Sequence, residues 1–128
     1  MTDMTERFVT ALGDLHQKRE VEPLVDLFAD DATLDKAGIP HGRSGKDGAR
    51  TFWQEYRDVF DRIDATFTHT VTDDDLTYLK WTSEGTLRDG TDFRYDGVSV
   101  LESKDEEIGA FRTYYATAAF LTADKRNK

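Results

Sequence analysis

Three stretches in the first half of the chain place apolar residues at the three- and four-residue spacing of an amphipathic helix. The first helix is predicted to run from about Met4 to Gln17 and the third from Ser44 to about Phe60. Between them, a short second helix is marked by four apolar residues, Val21, Leu24, Val25 and Phe28. Asp30 and Asp31 would end that helix, and Thr33–Asp35 would form a brief strand before the next loop.

After the third helix the apolar period changes from 3.6 to 2, which indicates extended strands. Four residues alternate with threonines and would share the inner face of one long strand: Ala65, Phe67, His69 and Val71. Three more strands are predicted over 76–87, 93–102 and 108–116. The hairpin turns between these strands are predicted at Asp73–Asp75, Asp89–Gly90 and Lys104–Glu107.

Helices that precede an antiparallel meander indicate the α+β class. Because long strands twist and curl, we expect three N-terminal helices packed in a strongly curled antiparallel sheet, a cone-shaped α+β barrel with a central pocket. The length of 128 residues fits a single domain over 1–128. Its core would cover about 4–121, and the polar tail 122–128 would be frayed.

Charge and composition narrow the expected partners. The chain carries 26 acidic residues against 17 Lys and Arg, a formal net charge of −9, and such a field repels nucleic acid and anionic membrane surfaces. The absence of cysteine excludes disulfides and thiolate metal sites. No apolar run approaches the roughly 20 residues that span a bilayer, and the first residues do not form a secretory signal. We therefore expect a cytoplasmic protein with no nucleic-acid or membrane partner.

Five segments have a familiar order and composition: Leu27–Thr33, His41–Arg43, Trp81–Thr86, Tyr95–Val100 and Phe111–Tyr115. Together they resemble the nuclear transport factor 2-like superfamily, in its polyketide-cyclase-like (SnoaL-like) and ketosteroid-isomerase-like branch, over about residues 5–120. The resemblance implies the cone-shaped fold and its pocket. It does not imply one activity, because isomerases, dehydratases, cyclases, hydrolases and binding modules share this scaffold.

The residues that ketosteroid isomerases use for catalysis are mostly missing from this chain. Those enzymes need a carboxylate base just after the first strand, and a tyrosine and a protonated aspartic acid that hold an enolate oxygen. A simple match puts Lys36 at the base position, and Asp35 fits only if the loop slips by one residue. Leu12 and Ser99 stand at the two donor positions. Ketosteroid isomerisation is therefore not expected.

The resemblance places the cleft on one face of strands 93–102 and 108–116, capped by the third helix. The predicted ligand-binding residues are Trp53, Tyr56, Trp81, Tyr95, Ser99, Phe111, Thr113 and Tyr115. Aromatic side chains with polar atoms suit a ligand that carries some oxygen, although the same aromatics could simply form core. Either Trp81 or Glu84 faces the cleft. Periodicity favours Trp81, and an ungapped match to the isomerases favours Glu84; a one-residue bulge in the strand would exchange the two faces.

Asp35 and His69 are the acid–base candidates. Asp35 is the acid nearest the family's base position, and His69 is the one imidazole on an apolar strand face, with a pKa suited to proton transfer. The alternative is that Asp35 ends a strand and His69 fills core. His16 and His41 are expected on the surface. The histidine spacing suits no metal, so neither a metal nor a cofactor is expected.

The sequence therefore predicts a pocket protein for a small apolar or partly oxygenated molecule. If it is an enzyme, we expect a cofactor-independent lyase, isomerase, dehydratase or cyclase, with Tyr95 or Tyr115 polarising a carbonyl oxygen. The alternative is a non-catalytic ligand-binding or interaction module on the same fold. A paired or desolvated carboxylate or histidine in the pocket would favour the enzyme. A cleft filled by Trp53, Trp81 and Phe111 would favour the module.

Two further expectations concern the two faces of the sheet. No Arg or Lys falls on the cleft side of strands 93–102 and 108–116, so neutral ligands are expected to bind better than anionic ones. The opposite face carries an apolar set, Val98, Val100, Ala110 and Tyr114. An apolar patch on an uncovered sheet face favours a twofold partner, so we expect a homodimer through the outer face.

Overall fold

The computed structural model describes residues 2–36 and 42–115. The helices are α1 (Thr2–Lys18), α2 (Glu22–Val25) and α3 (Gly45–Val59). The strands are β1 (Phe28–Lys36), β2 (Arg43–Ser44), β3 (Phe60–Asp73), β4 (Leu76–Leu87), β5 (Asp92–Lys104) and β6 (Glu107–Tyr115). The predicted α+β class, with three helices on a curled sheet, is confirmed. The predicted frayed tail 122–128 and His41 lie outside the described residues.

The six strands form one sheet in the order β2-β1-β6-β5-β4-β3. Strands β3 to β6 are the antiparallel meander that the sequence predicts. Strand β1 instead lies parallel to β6, with Leu34 opposite Phe111 and Lys36 opposite Thr113. Since no hairpin joins β1 to β6, the connection leaves the two strands free to run in the same direction. The sheet is therefore mixed at this one pairing.

The end of the second helix differs from the prediction. Helix α2 stops at Val25, and Phe28, Asp30 and Asp31 belong to β1. Backbone pairing with the last strand explains the difference, because the Ile108 N–H donates to the Leu27 carbonyl at 2.8 Å. Apolar spacing favoured a helix as far as Phe28, but strand pairing that satisfies backbone groups outweighs so short a periodicity.

The hairpin turns lie where the sequence predicts them. Gly90 has φ 89°, and the Asp89 carboxylate accepts a 2.9 Å hydrogen bond from the Thr91 N–H. Asp105 and Glu106 between β5 and β6 both have positive φ, 51° and 66°, as tight two-residue hairpins require. These turns fix the register of β4, β5 and β6 and therefore which side chains share the inner face.

A β-bulge in β3 changes which side chains face inward. Phe67 lies opposite Trp81, but the next paired residue is His69, opposite Lys80. Thr68 is the extra residue, so the inward and outward positions exchange beyond it. Thr70 and Thr72 then share the face of their partners Leu79 and Thr77, while Val71 is 60% exposed.

Two apolar clusters fill the inner face of the sheet. The larger one joins all three helices to β1, β4, β5 and β6 and includes Phe8, Trp53 and Phe111. The smaller one gathers Phe60, Ile63, Trp81, Phe93 and Tyr95. Among the described residues, no helix is long and apolar enough to cross a membrane.

Candidate ligand pocket

A cavity of about 500 Å³ lies where the two clusters meet, between the inner face of the sheet and helices α1 and α3. Small-molecule sites usually have volumes of roughly 300–1,000 Å³. All eight residues predicted to bind ligand line this cavity: Trp53, Tyr56, Trp81, Tyr95, Ser99, Phe111, Thr113 and Tyr115. Exposed lining residues, Val59, Arg88 and Asp89, mark its opening.

Aromatic rings support the walls by edge contacts. On the helix side, Trp53 lies 5.3 Å from Tyr56 and 5.3 Å from Phe111, measured between ring centroids. On the sheet side, Tyr95 lies 5.2 Å from Trp81 and 5.3 Å from Tyr115. Tilted and T-shaped pairs are the favoured arrangements of aromatic rings. The rings of each wall therefore pack against one another in favoured geometry around the cavity.

Trp81, and not Glu84, faces the cavity. Trp81 is buried, whereas Glu84 is exposed and pairs with Arg94 at 3.1 Å on the outer face. The interpretation from periodicity is therefore right. Gly97 lies opposite Trp81, and a Cβ added there would collide with the indole ring. Glycine at this position lets the Trp81 ring lie across β5.

A buried hydrogen-bond chain crosses the sheet beside the cavity. The Trp81 Nε1–H donates to Ser99 Oγ at 2.9 Å, and Ser99 Oγ lies 3.0 Å from Thr113 Oγ1. All three side chains are less than one-tenth exposed. The register continues this row to β1, because Lys36 lies directly opposite Thr113. The polar row Lys36–Thr113–Ser99 thus interrupts an otherwise apolar surface.

The structure places Lys36, and not Asp35, at the cavity. Leu34 and Lys36 face inward, and Asp35 lies opposite Arg112 in the strand register, on the other face of the sheet. The predicted placement of Asp35 at the cavity is therefore wrong, because the one-residue slip that it needed does not occur. The Lys36 ammonium lies 5.2 Å from the Phe52 ring centroid. Burial lowers the Lys36 pKa below its usual range, against an opposing effect of Glu55.

His69 also lies outside the cavity. It is exposed on the outer face, and its Nδ1 lies 3.3 Å from Thr68 Oγ1. The bulge at Thr68 reverses the alternation on which its inward placement depended. The predicted placement of His69 in the pocket is therefore wrong, and so is its alternative placement in the core.

His16, expected on the surface, is half-buried behind the cavity wall. Its Nε2 lies 2.7 Å from the hydroxyl of Tyr56, and the two rings stack at 5.7 Å. Burial lowers the His16 pKa to about 4, although the Asp64 carboxylate acts in the opposite direction. Burial raises the Tyr56 pKa well above its usual value. Both groups are therefore neutral near pH 7. His16 follows Leu12 by one helical turn, a signal that could have placed it on the buried face.

Two more tyrosines at the cavity keep their protons. Burial raises the pKa of Tyr95, with a smaller contribution from Tyr115, and burial also raises the pKa of Tyr115. Both hydroxyls are thus neutral at physiological pH and can donate or accept hydrogen bonds. No group of three or more His, Asp or Glu within 2–36 and 42–115 could hold a metal ion.

The chain belongs to the SnoaL-like domain family, whose model matches residues 5–111. This match confirms the resemblance described from the sequence. No functionally curated protein matches the chain.

Solved structures with the same fold are distant in sequence. A nuclear transport factor 2-like protein from Anabaena variabilis has a TM-score of 0.83 and 15% identity, covering 92% of this chain and 90% of that one. A protein with a ketosteroid isomerase-like fold from Catenulispora acidiphila, in complex with trimethylamine, has a TM-score of 0.77 and 20% identity, covering 88% and 87%. An LEH-like epoxide hydrolase from M. tuberculosis has a TM-score of 0.72 and 14% identity, covering 93% and 87%. At such identities these likenesses establish the fold alone.

Proposed function

We propose that this chain binds one small, largely apolar molecule with a few oxygen atoms in the cavity between the sheet and α3. The observation that carries the proposal is a 500 Å³ space whose walls are largely aromatic and which, away from its opening, is lined by only a few polar side chains. Ligand sites of this kind combine apolar burial for affinity with a few placed polar groups for orientation.

The polar atoms at the cavity suit oxygen on the ligand. Ser99 and Thr113 are buried in their own hydrogen-bonded chain, and Tyr56, Tyr95 and Tyr115 retain their hydroxyl protons. Hydroxyl groups can both donate and accept hydrogen bonds, so they can contact oxygen atoms of a ligand, which hydrocarbon does not offer.

Thermal-shift measurements test this function. Flat bicyclic and tricyclic ketones and phenols are expected to raise the melting temperature by about 5–10 °C at 100 times their dissociation constant. Ala65→Leu narrows the cavity that Ala65 lines and should weaken the shift, whereas Thr66→Leu on the exposed outer face should retain it. Stabilisation by nucleotides alone, or an equal response of the two variants, would contradict the proposal.

A second candidate function is cofactor-free acid–base catalysis, as in an isomerase, dehydratase, lyase or cyclase. The observation that favours it is the desolvated His16 hydrogen-bonded to the cavity residue Tyr56. Neutral His16 can accept the Tyr56 proton or donate to its oxygen, so the pair can supply or remove a proton at the cavity wall. Tyr95 or Tyr115 would polarise a carbonyl oxygen. The matching assay is turnover of a ligand that the thermal screen identifies, with Tyr56→Phe expected to lower it about 10²-fold.

We also propose that two copies associate through the outer face of the sheet. This face carries Tyr78 and Tyr114, which are 41% and 45% exposed, beside the half-buried Val98 and Val100. Register places Tyr78 opposite Val100 and Val98 opposite Tyr114, so these side chains form one continuous patch. Contiguous apolar surface on a sheet face favours burial against a second copy.

A further inference from the structure

We infer that the ligand of this cavity carries a carboxylate, which Lys36 and the Ser99–Thr113 hydroxyl pair hold at one end while the aromatic walls enclose its apolar part. This inference rests on the proposed function and names the ligand class of the same site. It replaces the sequence-based expectation of neutral ligands, which considered only the cations of two strands.

The first support is the register of three neighbouring strands. Lys36 on β1 lies opposite Thr113 on β6, and Thr113 lies opposite Ser99 on β5. The three side chains therefore form one row on the inner face, and all three line the cavity. Side chains directly opposite each other on antiparallel strands, as Thr113 and Ser99 are, lie roughly 4.5–5.5 Å apart at Cβ. A carboxylate has the size to contact more than one member of such a row.

The second support is a count of donor protons. Trp81 Nε1–H, Ser99 O–H and Thr113 O–H supply three donors, and two hydrogen bonds join them: the indole donates to Ser99, and the two hydroxyls share one proton. Whichever hydroxyl donates, one hydroxyl proton is left over. Among the described residues, neither hydroxyl has a further hydrogen-bond partner. The row therefore presents a spare hydroxyl proton and an ammonium to the same cavity, a set of donors that matches a ligand anion.

The third support is that the acids nearest Lys36 are engaged elsewhere. Glu55 of α3 pairs with Arg43 of β2 at 2.8 Å, and Asp35 faces the other side of the sheet. In the part of the chain that the structure describes, Lys36 forms no ion pair, and its ammonium lies against the Phe52 ring. Burial of that charge lowers its pKa. A bound carboxylate would supply the missing counter-ion and favour the charged form.

Arg88 is the other cation among the lining residues, and it is already engaged. Its guanidinium lies 3.8 Å from the Asp58 carboxylate and donates to the Asp58 carbonyl at 3.1 Å. Arg88 is also exposed at the opening of the cavity. An exposed, paired arginine contributes little to the binding of an anion. We therefore assign the binding of the ligand carboxylate to Lys36.

Calorimetry with a matched pair of ligands tests this inference. 2-Naphthoic acid, ionised at pH 7, and 2-naphthamide share one apolar skeleton and differ in charge. We expect the wild-type protein to bind the acid at least about tenfold more tightly than the amide, since a charged hydrogen-bonded pair in a dry site is worth about that much. Lys36→Met should abolish the preference while changing amide affinity less than about threefold. Lys36→Arg should retain the preference.

Controls separate the site from net charge and from folding. Lys80→Met removes an exposed lysine on the outer face and should keep the wild-type preference. Thr113→Val removes the hydroxyl opposite Lys36 and should weaken the binding of the acid more than the binding of the amide. If circular dichroism shows that Lys36→Met is unfolded, the result for Thr113→Val decides whether the inference holds. Equal binding of acid and amide by the wild type would overturn the inference and leave the proposed function standing. Failure of both ligands to bind the wild type at their solubility limits would contradict the proposed function as well.

Discussion

Replacing His16 with glutamine is expected to remove a large part of the acid sensitivity of the fold. In the folded state the imidazole is half-buried against Tyr56, and its pKa is lowered to about 4 from the usual 6.5. Between those two pH values, His16 is protonated in the unfolded chain but neutral in the folded chain, so protonation favours unfolding. The contribution of neutral His16 to the free energy of unfolding is therefore complete above about pH 6.5 and is lost as the pH falls towards 4.

The size of the effect follows from the shift in pKa. Each pKa unit corresponds to about 1.4 kcal/mol, so the full shift corresponds to about 3 kcal/mol, of which about 2.5 kcal/mol is already lost at pH 4.5. The amide introduced by His16→Gln can still bond the Tyr56 hydroxyl but does not titrate. We expect this variant to keep the stability of the wild type at pH 7.5 within about 1 kcal/mol.

Urea unfolding followed by circular dichroism at pH 7.5 and pH 4.5 measures the difference. The wild type should lose about 2–3 kcal/mol more than His16→Gln between the two conditions. His69→Gln, which removes an exposed imidazole from the outer face, is the matched control and should behave as the wild type. If the wild type and His16→Gln lose the same free energy, burial of His16 does not disfavour its protonation, and the neutral His16–Tyr56 pair must be abandoned.

Four other substitutions probe the packing and the outer face. Gly97→Ala forces a methyl group into the Trp81 ring and should lower the free energy of unfolding in urea by about 1–3 kcal/mol. As a control, Gly13→Ala on α1, where an added Cβ meets nothing within 4 Å, should raise that free energy by about 0.5–1 kcal/mol. If Gly97→Ala leaves stability unchanged, the placement of the Trp81 indole is wrong. Lys46→Met removes an ammonium that donates to the Phe28 carbonyl at 2.6 Å, and it should lower the free energy of unfolding by about 1–3 kcal/mol in the same assay. An unchanged free energy would show that this hydrogen bond is absent in solution. Light scattering should give twice the 14.6 kDa chain mass, reduced towards one chain by Tyr114→Lys, and a monomeric wild type would exclude the dimer.

Local chemistry predicted most of the fold because its signals agree with the tertiary structure. Apolar spacing located α1 and α3, and the turn residues around Gly90 located a hairpin. The family resemblance placed the cleft on the face of Tyr95 and Ser99, while period two supported that grouping and favoured Trp81; all three residues line the cavity. Spacing, turn residues and alternation depend only on neighbours in sequence, so they need no knowledge of distant contacts.

The acid–base candidates failed where placement depends on pairing between distant strands. Nothing in the Thr-rich sequence marks Thr68 as the bulged residue, yet that bulge moves His69 to the outer face. Which of Asp35 and Lys36 faces the cavity is decided by the register of β1 against β6, which local sequence does not encode. The surface prediction for His16 failed for another reason. Its spacing from Leu12 indicated the buried face of the helix, but the prediction followed the polarity of the side chain instead.

The parallel pairing of β1 with β6 has a consequence for how the protein folds. These partners are the first and the last strand of the described chain, and β6 must insert between β1 and β5 to complete the sheet. Contacts so far apart in sequence carry a large loop-closure entropy and slow the folding of a domain. On the ribosome, the row that joins Lys36 to Thr113 cannot exist until β6 has been synthesised. The ligand cavity is therefore among the last features of the chain to form, and a ligand that fills it stabilises a strand that is otherwise added late.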